Sequence, residues 1–504
     1  MIEYAQKLIK KDLTIFILFF LIGLGIYANA LNAPFIWDDF TLIDSNEQIR
    51  SFDHIGEWFT TSSTSGVKGG HDSPLYRPMM KALDATIYHF FKLKPFAYRA
   101  LNILLHIINS FLIFTLFRKL KLKRIGAIFA ALIFLVHPVQ VEAVTYISGL
   151  PDVLSGFFIL AGLLFFKSGK NILTLLTLLL AFLSKEIAIT FFAFAWLITI
   201  YEWKSYDKKT LNTKLKWLTV FTIISIIYFI LKLTVLNFTG TADLTDIVND
   251  YTESILIRTI TFISIIWEYA KLIIYPVHLF FEKSVVHATT LLAPKGIFGL
   301  TVLIGGCGAA YNSFLKDKKF LFGFTWFFIP LIPVSGIFII SNAFYAERWL
   351  YLPLIGVVFG IAALWENLKT KEAKAIYICI LVIVSMTFAT RTIFRNREWA
   401  DPQEFFENEI ANNPYSPRIY NQLGTVHFAK RNYNRALSAI QKSIELDDAK
   451  SSPIFRFNLG NTYYYLGKND KAIFWLNEAL EMKPDYEKAK IVLNKILEEN
   501  KIYQ

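Results

Sequence analysis

The sequence has few cysteines and few charged residues. Its 504 residues include two cysteines, Cys307 and Cys379. Both lie inside apolar runs, which excludes a disulfide-stapled secreted domain. Charged residues make up 18% of the chain, whereas a soluble domain has about 25%. The chain also has no Gly-x-Ser-x-Gly motif, no phosphate-binding loop and no paired histidine spacing. We therefore predict neither a metal site nor a nucleotide site.

The chain is instead rich in apolar and aromatic residues. Hydrophobic residues account for 54% of it, and phenylalanine alone occurs 47 times. A helix needs about 20 mostly apolar residues to cross a membrane. On this basis the sequence predicts an all-α polytopic membrane protein with about 11 spans, the first of them retained rather than cleaved as a signal peptide. The predicted spans are 13–30, 98–117, 125–141, 150–167, 171–184, 187–201, 217–237, 297–315, 320–340, 349–365 and 375–393.

The net charge of +12 is confined to the region of the spans. From Trp399 to Gln504 there are 14 Lys or Arg and 14 Asp or Glu, which cancel. The excess of basic residues lies in loops between apolar segments, as is typical of loops on the cytoplasmic side, and gives no support for a nucleic-acid partner. The eleven-span arrangement puts on one side the basic clusters near Lys7, Arg118, Lys204, Lys316 and Lys369.

This orientation predicts that the large 31–97 loop and the C-terminal domain are extracytoplasmic. The many Lys, Ile, Phe and Asn residues are typical of an AT-rich genome, and we interpret the membrane as a bacterial plasma membrane. Residues 255–280 are also apolar, but Arg258, Glu268 and Lys271 interrupt them. We expect this segment to lie on the outer face or partly in the membrane rather than to cross it.

A repeat follows the spans. Tyr420-Asn-Gln-Leu-Gly424 recurs 36 residues later as Arg456-Phe-Asn-Leu-Gly460. Small residues at Gly424/Ala436 and Gly460/Ala472 match the tetratricopeptide pattern, in which two helices cross closely. We therefore divide the chain into a transmembrane domain at 1–398 and a tetratricopeptide α-solenoid at 399–504. The solenoid offers a surface for a peptide or protein.

Two carboxylates, Asp38 and Asp39, follow the first span by a few residues. Their mutual repulsion can raise the pKa of one of them and so provide a general base. The alternative is a solvated turn after Pro34.

Other polar residues gather near predicted helix ends on the same side. The cations Lys185 and Arg348 suit a phosphate at the bilayer surface; alternatively, they anchor helix ends by snorkelling. Similarly ambiguous are His106, His137, Glu142, Asp152, Glu186 and Glu347. A transferase on the outer face without a nucleotide site needs a membrane-borne activated donor, which points to a lipid phosphate.

Several short landmarks occur in a specific order. They are Phe35-Ile-Trp-Asp-Asp39, Tyr76-Arg-Pro78, Tyr98 to His106 with Asn102, His137-Pro138 with Glu142, Ile147-Ser-Gly149 with Asp152, Ser184-Lys-Glu186 and Glu347-Arg-Trp-Leu-Tyr-Leu-Pro353. With the repeats, they make the chain resemble bacterial relatives of the transmembrane-and-tetratricopeptide O-mannosyltransferases, within the GT-C superfamily of polytopic glycosyltransferases.

The resemblance implies a GT-C-like transmembrane domain and a polyprenyl-phosphate sugar, mannose-like, as donor. No cofactor is firmly implied, and the use of a divalent metal stays open. Asp38 and Asp39 are expected to be catalytic, with Asp38 the stronger candidate. Lys185, Arg348 and Arg77 are expected to bind the donor phosphate. Leu150-Pro151 departs from the family where a polar residue is expected after Ser-Gly.

The predicted reaction is protein O-mannosylation on the extracytoplasmic side, with inversion at the sugar C1. Asp38 or its neighbour takes the proton of a Ser/Thr hydroxyl, and Lys or Arg stabilises the leaving phosphate. Two alternatives stand beside it. One is a membrane-anchored tetratricopeptide scaffold or transporter without catalysis, and the other is a GT-C transferase that acts on a lipid or glycan acceptor.

Overall fold

The computed structural model describes residues 2–67, 75–234, 250–282, 287–338, 340, 343–447 and 452–502. Parts of the predicted outer loop (68–74) and of the acidic 238–256 stretch therefore lie outside the described residues. Within the described part the protein is all-α, with no strand and a single isolated bridge between Asn46 and Val67. The all-α class predicted from the sequence is confirmed.

Sixteen α-helices precede the repeats. They are α1 (Ile2–Tyr27), α2 (Ile55–Trp58), α3 (Pro78–Phe91), α4 (Pro95–Lys119), α5 (Arg124–Val136), α6 (Val141–Val144), α7 (Leu150–Lys167), α8 (Asn171–Phe182), α9 (Phe191–Tyr201), α10 (Lys208–Thr234), α11 (Asp250–Glu253), α12 (Ile255–Ile274), α13 (Pro294–Leu315), α14 (Lys319–Phe328), α15 (Pro353–Asn367) and α16 (Lys371–Ala400). Short 3₁₀ turns connect several of them, including Ile147–Gly149, Glu186–Thr190 and Glu347–Leu350.

Six helices in the described part are long and apolar enough to cross a membrane. A seventh span results if α5 and the following Pro138–Val144 segment, bent by 51° at Pro138, are counted together. The predicted count of eleven is not confirmed. Its other four spans fall on apolar helical segments of 10–17 residues, Asn171–Phe182, Glu186–Tyr201, Lys319–Leu331 and Pro353–Asn367, which are shorter than the usual crossing.

Helix α12 is not among the candidate spans. Its Glu268 is buried and pairs with Lys271 at 2.7 Å and with Lys295 at 3.1 Å. A buried carboxylate with two partly exposed lysines is compatible with a position at the membrane surface. That position remains a prediction.

The helices of the membrane domain pack around one apolar core, in which α4, α5, α7 and α15 are the most deeply buried. Close approach of backbones is possible where glycine faces a neighbour. A Cβ atom at Gly126 of α5 would lie 2.9 Å from the Ala362 carbonyl oxygen of α15. Helix α16 packs along α1 and α5 and then continues to Ala400, so the predicted domain boundary at 398 falls inside a continuous helix.

The C-terminal region consists of α17 (Pro402–Asn412), α18 (Pro417–Ala429), α19 (Tyr433–Glu445), α20 (Pro453–Tyr465), α21 (Asn469–Met482) and α22 (Glu487–Ile502). The pairs α18/α19 and α20/α21 are helical hairpins in register with the predicted repeats. They cross closely at the predicted glycines, because a Cβ atom at Gly460 would lie 3.1 Å from the Ala472 carbonyl oxygen. The terminal helix α22 covers the last hairpin as a capping helix does in a solenoid.

Candidate active site

The two aspartates of the first loop have different surroundings. Asp39 is fully buried, and its carboxylate accepts hydrogen bonds from the Ser148 amide (2.9 Å), the Ser148 hydroxyl (2.5 Å) and the Ile36 amide (3.1 Å). Burial raises the pKa of Asp39 to about 6, although these hydrogen bonds and Arg99 oppose the shift. Asp39 thus anchors the loop to the Ile147–Gly149 turn.

Asp38 is exposed and free of such bonds at its carboxylate within the described part of the chain. Its backbone amide donates to the Tyr146 hydroxyl at 3.0 Å. The preceding Trp37 has a φ of +55°, a left-handed conformation uncommon for a bulky residue. This backbone turn buries the Trp37 ring and leaves the Asp38 side chain at the surface. Strained backbone of this kind is common at functional sites.

Arg348 is the second residue of the last predicted landmark. Its guanidinium and its backbone amide both bind the carboxylate of Glu142, with 2.8 Å for the amide. It also lies within electrostatic range of Asp152, Tyr146 and Asp38. The side chain is 29% exposed, whereas that of Glu142 is fully buried. Glu142 therefore holds Arg348 in place while leaving its side chain partly exposed.

Lys185 is held by Asp152 at the floor of a cleft. The Lys185 ammonium lies 2.6 Å from the Asp152 carboxylate, and both residues are buried. The cleft is narrow, with a cavity volume of about 20 Å³, and is lined by Asp152, Ser155, Lys185, Ile187, Pro330, Val334, Arg348, Trp349, Tyr351 and Leu352. Two of the three residues predicted to bind phosphate thus face one cavity.

Arg77, the third of these residues, pairs with Glu186 at 3.5 Å. Glu186 also lies 4.0 Å from Lys232 of α10. Burial lowers the pKa of Lys185; Asp152 opposes this shift, and Arg77 and Arg348 add to it. The three cations are therefore close enough to repel one another, an arrangement that an anion in the cleft would stabilise.

The two predicted histidines are packing residues. His106 is fully buried, with Nδ1 3.0 Å from the Tyr351 hydroxyl and Nε2 3.1 Å from the Leu135 carbonyl. His137 bonds the Ile273 carbonyl at 3.0 Å and accepts from the Val139 amide. Neither lines the cleft, so both stay supporting residues at most.

Glu347 also lies away from the cleft, in a buried cluster between the two domains. It accepts a hydrogen bond from the Phe280 amide and lies 3.9 Å from Arg395 of α16. Arg395 in turn pairs with Glu409 of α17 at 3.2 Å. Arg395 and Glu409 were not predicted from the sequence, because nothing in their spacing signals a contact with Glu347.

Tyr146 and Phe281 are two further site residues that the sequence does not single out. The Tyr146 hydroxyl receives the Asp38 amide, and its ring lies 5.3 Å from that of Phe281. Burial raises the pKa of Tyr146 well above its usual value, so the phenol stays protonated at neutral pH. Tyr146 precedes the Ile147-Ser-Gly149 landmark directly, which is the one sequence signal that could have found it.

In the described part of the chain no group of three or more His, Cys, Asp or Glu side chains is arranged to hold a metal ion. What the site offers is an exposed carboxylate, Asp38, within electrostatic range of Arg348, and a cleft that holds two cations with buried counter-charges. This combination can accept a proton at one side and stabilise an anion at the other.

Comparison with known proteins gives a consistent relationship. A family model of the tetratricopeptide repeat matches residues 415–485, which confirms the predicted repeats. "Protein O-mannosyl-transferase TMTC3" of Homo sapiens is 24% identical over 488 residues, covering 88% of this chain and 52% of its own length. "Protein O-mannosyl-transferase Tmtc1" of Drosophila melanogaster is 24% identical, covering 82% of this chain and 59% of its own. The chain spans about half the length of these curated relatives.

Among solved structures, a crystal structure of ArnT from Cupriavidus metallidurans bound to undecaprenyl phosphate covers 93% of this chain and 79% of its own. The TM-score is 0.40 at 12% identity. A shorter sequence match has a higher identity. "Protein O-mannosyl-transferase tmtc2" of Xenopus laevis is 35% identical over 149 residues, which cover 28% of this chain. The resemblance inferred from the landmarks is confirmed: over most of its length this chain is similar to the transmembrane-and-tetratricopeptide O-mannosyltransferases.

Proposed function

We propose that this protein is an integral membrane glycosyltransferase that moves a mannose-like sugar from a polyprenyl-phosphate donor to Ser/Thr hydroxyls of extracytoplasmic proteins. Two lines of support meet here. The relatives that match over four fifths or more of the chain are named protein O-mannosyl-transferases. The observation that carries the proposal is that Arg348 lines the same cleft as Lys185 and lies within electrostatic range of the exposed Asp38.

The proposed reaction assigns a role to each side of the cleft. The Asp38 carboxylate takes the proton of the acceptor hydroxyl, whose oxygen forms a bond to the sugar C1. The bond from C1 to the phosphate oxygen breaks, and its electron pair leaves with the lipid phosphate. Attack from the face opposite the leaving group inverts the anomeric centre.

Lys185 and Arg348, with Arg77 behind them, stabilise the leaving phosphate in this scheme. Each cation already has a carboxylate partner, namely Asp152, Glu142 and Glu186 respectively. These carboxylates, of which Asp152 and Glu142 are buried, fix the cations in place before the donor arrives, so less order has to be created during the reaction. The phosphate would add a second anionic partner on the exposed side of Arg348.

The tetratricopeptide domain is the proposed holder of the acceptor chain. Its first hairpin has an open groove lined by Tyr420, Leu423, His427, Asn434, Arg435, Ser438, Ala439 and Lys442. The same repeat contacts the Asp38 loop, because the Arg418 guanidinium lies 5.0 Å above the Trp37 ring. A segment bound to the repeats would therefore start close to the proposed base.

The test compares purified wild type with Asp38→Asn for transfer from radiolabelled polyprenyl-phosphate mannose to proteins of the native membrane. Asp44→Asn is the matched control, since Asp44 is an exposed aspartate of the same loop. We expect wild type and Asp44→Asn to label protein and Asp38→Asn to lose at least 100-fold in rate, in line with the loss of a general base.

The outcomes separate the alternatives. Equal labelling by Asp38→Asn would remove Asp38 from the chemistry. Label in a lipid or glycan fraction instead of protein would show that the acceptor is a lipid or a glycan and not a protein. No label with a panel of polyprenyl-phosphate sugars would favour the scaffold or transporter, for which the repeat surface matters and Asp38 does not.

A further inference from the structure

One aromatic ring connects the repeat domain to the proposed site. It belongs to Phe281, in the segment 275–282 that follows α12. The Phe281 amide donates to the Glu409 carboxylate of the repeat domain at 2.8 Å. The preceding Phe280 amide donates to Glu347, directly next to Arg348 in the chain. One carboxylate from each domain thus accepts a hydrogen bond from the backbone at Phe280 and Phe281 and fixes the position of the Phe281 ring.

The Phe281 ring contacts the three groups that surround Asp38. Its centroid lies 5.1 Å from the Trp37 ring and 5.3 Å from the Tyr146 ring. The Arg348 guanidinium carbon lies 6.0 Å from the same centroid. Trp37 precedes Asp38, Tyr146 accepts a hydrogen bond from its amide, and Arg348 lies within electrostatic range of it.

The other side of the ring faces the repeat domain. Trp399 at the end of α16 and Phe405 of α17 lie 5.6 Å and 6.0 Å from the Phe281 centroid. The next residue, Glu282, is held by the first repeat as well. Its carbonyl accepts from the Asn413 side chain at 3.1 Å, and its carboxylate accepts from the Ser416 hydroxyl at 3.0 Å.

We propose that Phe281 is a positioning residue. Through its contacts with Trp37, Tyr146 and Arg348 it keeps the Asp38 carboxylate and the phosphate-binding guanidinium of Arg348 at the relative position that sugar transfer requires. The inference rests on the proposed function for its kinetic part. A small displacement of a base from its substrate lowers the rate of the chemical step strongly, because reaction requires a near-attack geometry. Donor binding also depends on Lys185, which is not among the groups that the ring touches, and is therefore less affected.

The experiment measures kcat and the donor KM for Phe281→Ala, Phe281→Leu and Phe281→Tyr in the full chain. Phe280→Ala is the matched control, because Phe280 is a buried neighbour whose ring contacts Tyr345 (5.7 Å). We expect Phe281→Ala and Phe281→Leu to lower kcat at least tenfold with the donor KM changed less than threefold. The aromatic ring of Phe281→Tyr should keep kcat within threefold of wild type.

A second readout does not need activity. Hydrogen–deuterium exchange of a peptide covering residues 36–40 reports on the Asp38 amide, whose hydrogen bond to Tyr146 depends on the proposed support. Exchange should rise in Phe281→Leu and stay at the wild-type level in Phe280→Ala.

The outcomes distinguish this inference from the proposed function. If wild type transfers no sugar, the proposed function fails, and the exchange result alone decides whether Phe281 supports the Asp38 loop. If wild type is active but Phe280→Ala and Phe281→Ala lower kcat equally, or if Phe281 variants change only KM, the positioning role is wrong. Unchanged exchange in Phe281→Leu would overturn it as well.

Discussion

Asp38 and Asp39 are adjacent in the chain, yet the structure gives them separate roles. The sequence argument expected repulsion between them to raise one pKa. The pKa that is raised belongs to Asp39, and its cause is burial. Both carboxylate oxygens of Asp39 accept hydrogen bonds, from Ser148 and Ile36, and so hold the loop in place. The exposed Asp38 remains accessible to a substrate.

The burial of Asp39 predicts a pH dependence of stability. The pKa in the folded protein is about 6 and lies above the ordinary value of 3.8, so the folded state binds the proton more tightly. The protonated carboxyl therefore stabilises the folded state most below pH 3.8, by on the order of 3 kcal/mol, and this contribution declines above that pH and is lost as the pH rises through 6.

Thermal unfolding of the detergent-solubilised full chain at pH 5 and pH 8 tests this point. Asp39→Asn removes the titration, so its midpoint should change less between the two pH values than that of wild type. It should also unfold earlier at pH 5, because the amide nitrogen cannot accept the bonds that an oxygen accepts. Asp44→Asn should behave as wild type; an identical pH response in Asp39→Asn would contradict the assignment.

At the scale of elements, the junction between α16 and α17 decides how the repeats are attached. Arg395 of α16 is buried and pairs with Glu398 at 2.6 Å and Glu409 at 3.2 Å, with Glu347 at 3.9 Å. Burial raises the pKa of both Glu347 and Glu409, to about 7 for the latter. Arg395 opposes both shifts and so favours the charged form of these carboxylates within the junction.

Arg395→Met should loosen this junction. Removing one partner of a buried ion cluster leaves uncompensated charge and costs about 3–5 kcal/mol. We expect a lower unfolding midpoint and faster tryptic release of the repeat domain. Arg397→Met is the matched control, since Arg397 is exposed on the same helix and forms no ion pair with a described residue. Equal behaviour of the two variants would show that the cluster does not hold the domains together.

At the scale of the molecule, one contact constrains the topology. Trp37 of the first loop packs on Phe406 of α17, with 5.8 Å between ring centroids. The first loop and the repeat domain must therefore lie on the same side of the membrane, and the chain crosses an even number of times between them. The first loop follows the first span, and the repeat domain follows the last. With seven spans six crossings separate them and with eleven spans ten, which are even numbers, whereas with six spans five crossings separate them. An added crossing by α12 would make either even number odd, which favours the surface position predicted for it.

Cysteine labelling in intact cells tests this arrangement. In a background with Cys307 and Cys379 replaced by serine, we would introduce Thr60→Cys in the first loop, Asn477→Cys in α21 and Lys316→Cys after α13, all at exposed positions. A membrane-impermeant maleimide should label positions 60 and 477 from outside, and position 316 only after permeabilisation. Labelling of 60 and 477 from opposite sides would contradict the packing of Trp37 on α17.

Local chemistry in the sequence determined the class of this protein. Long apolar runs predict membrane helices wherever they occur, and the 36-residue recurrence of Leu-Gly predicts the paired helices that pack at Gly424 and Gly460. The landmarks also identified Asp38, Lys185 and Arg348 as candidates, and the structure brings Lys185 and Arg348 to one cleft, with Asp38 within electrostatic range of Arg348. These features are readable because each depends on residues near one another in the chain.

Tertiary packing decided what each residue does. The sequence could not separate Asp38 from Asp39, because burial depends on Ser148, more than a hundred residues away. It could not show that Lys185 and Arg348 already have carboxylate partners. Nor could it show that the rings of His106 and His137 lie within hydrogen-bond distance of buried backbone carbonyls. Phe281 carries no local signal at all. Its importance comes from five contacts that are distant in sequence, and such contacts exist only once the helices have packed.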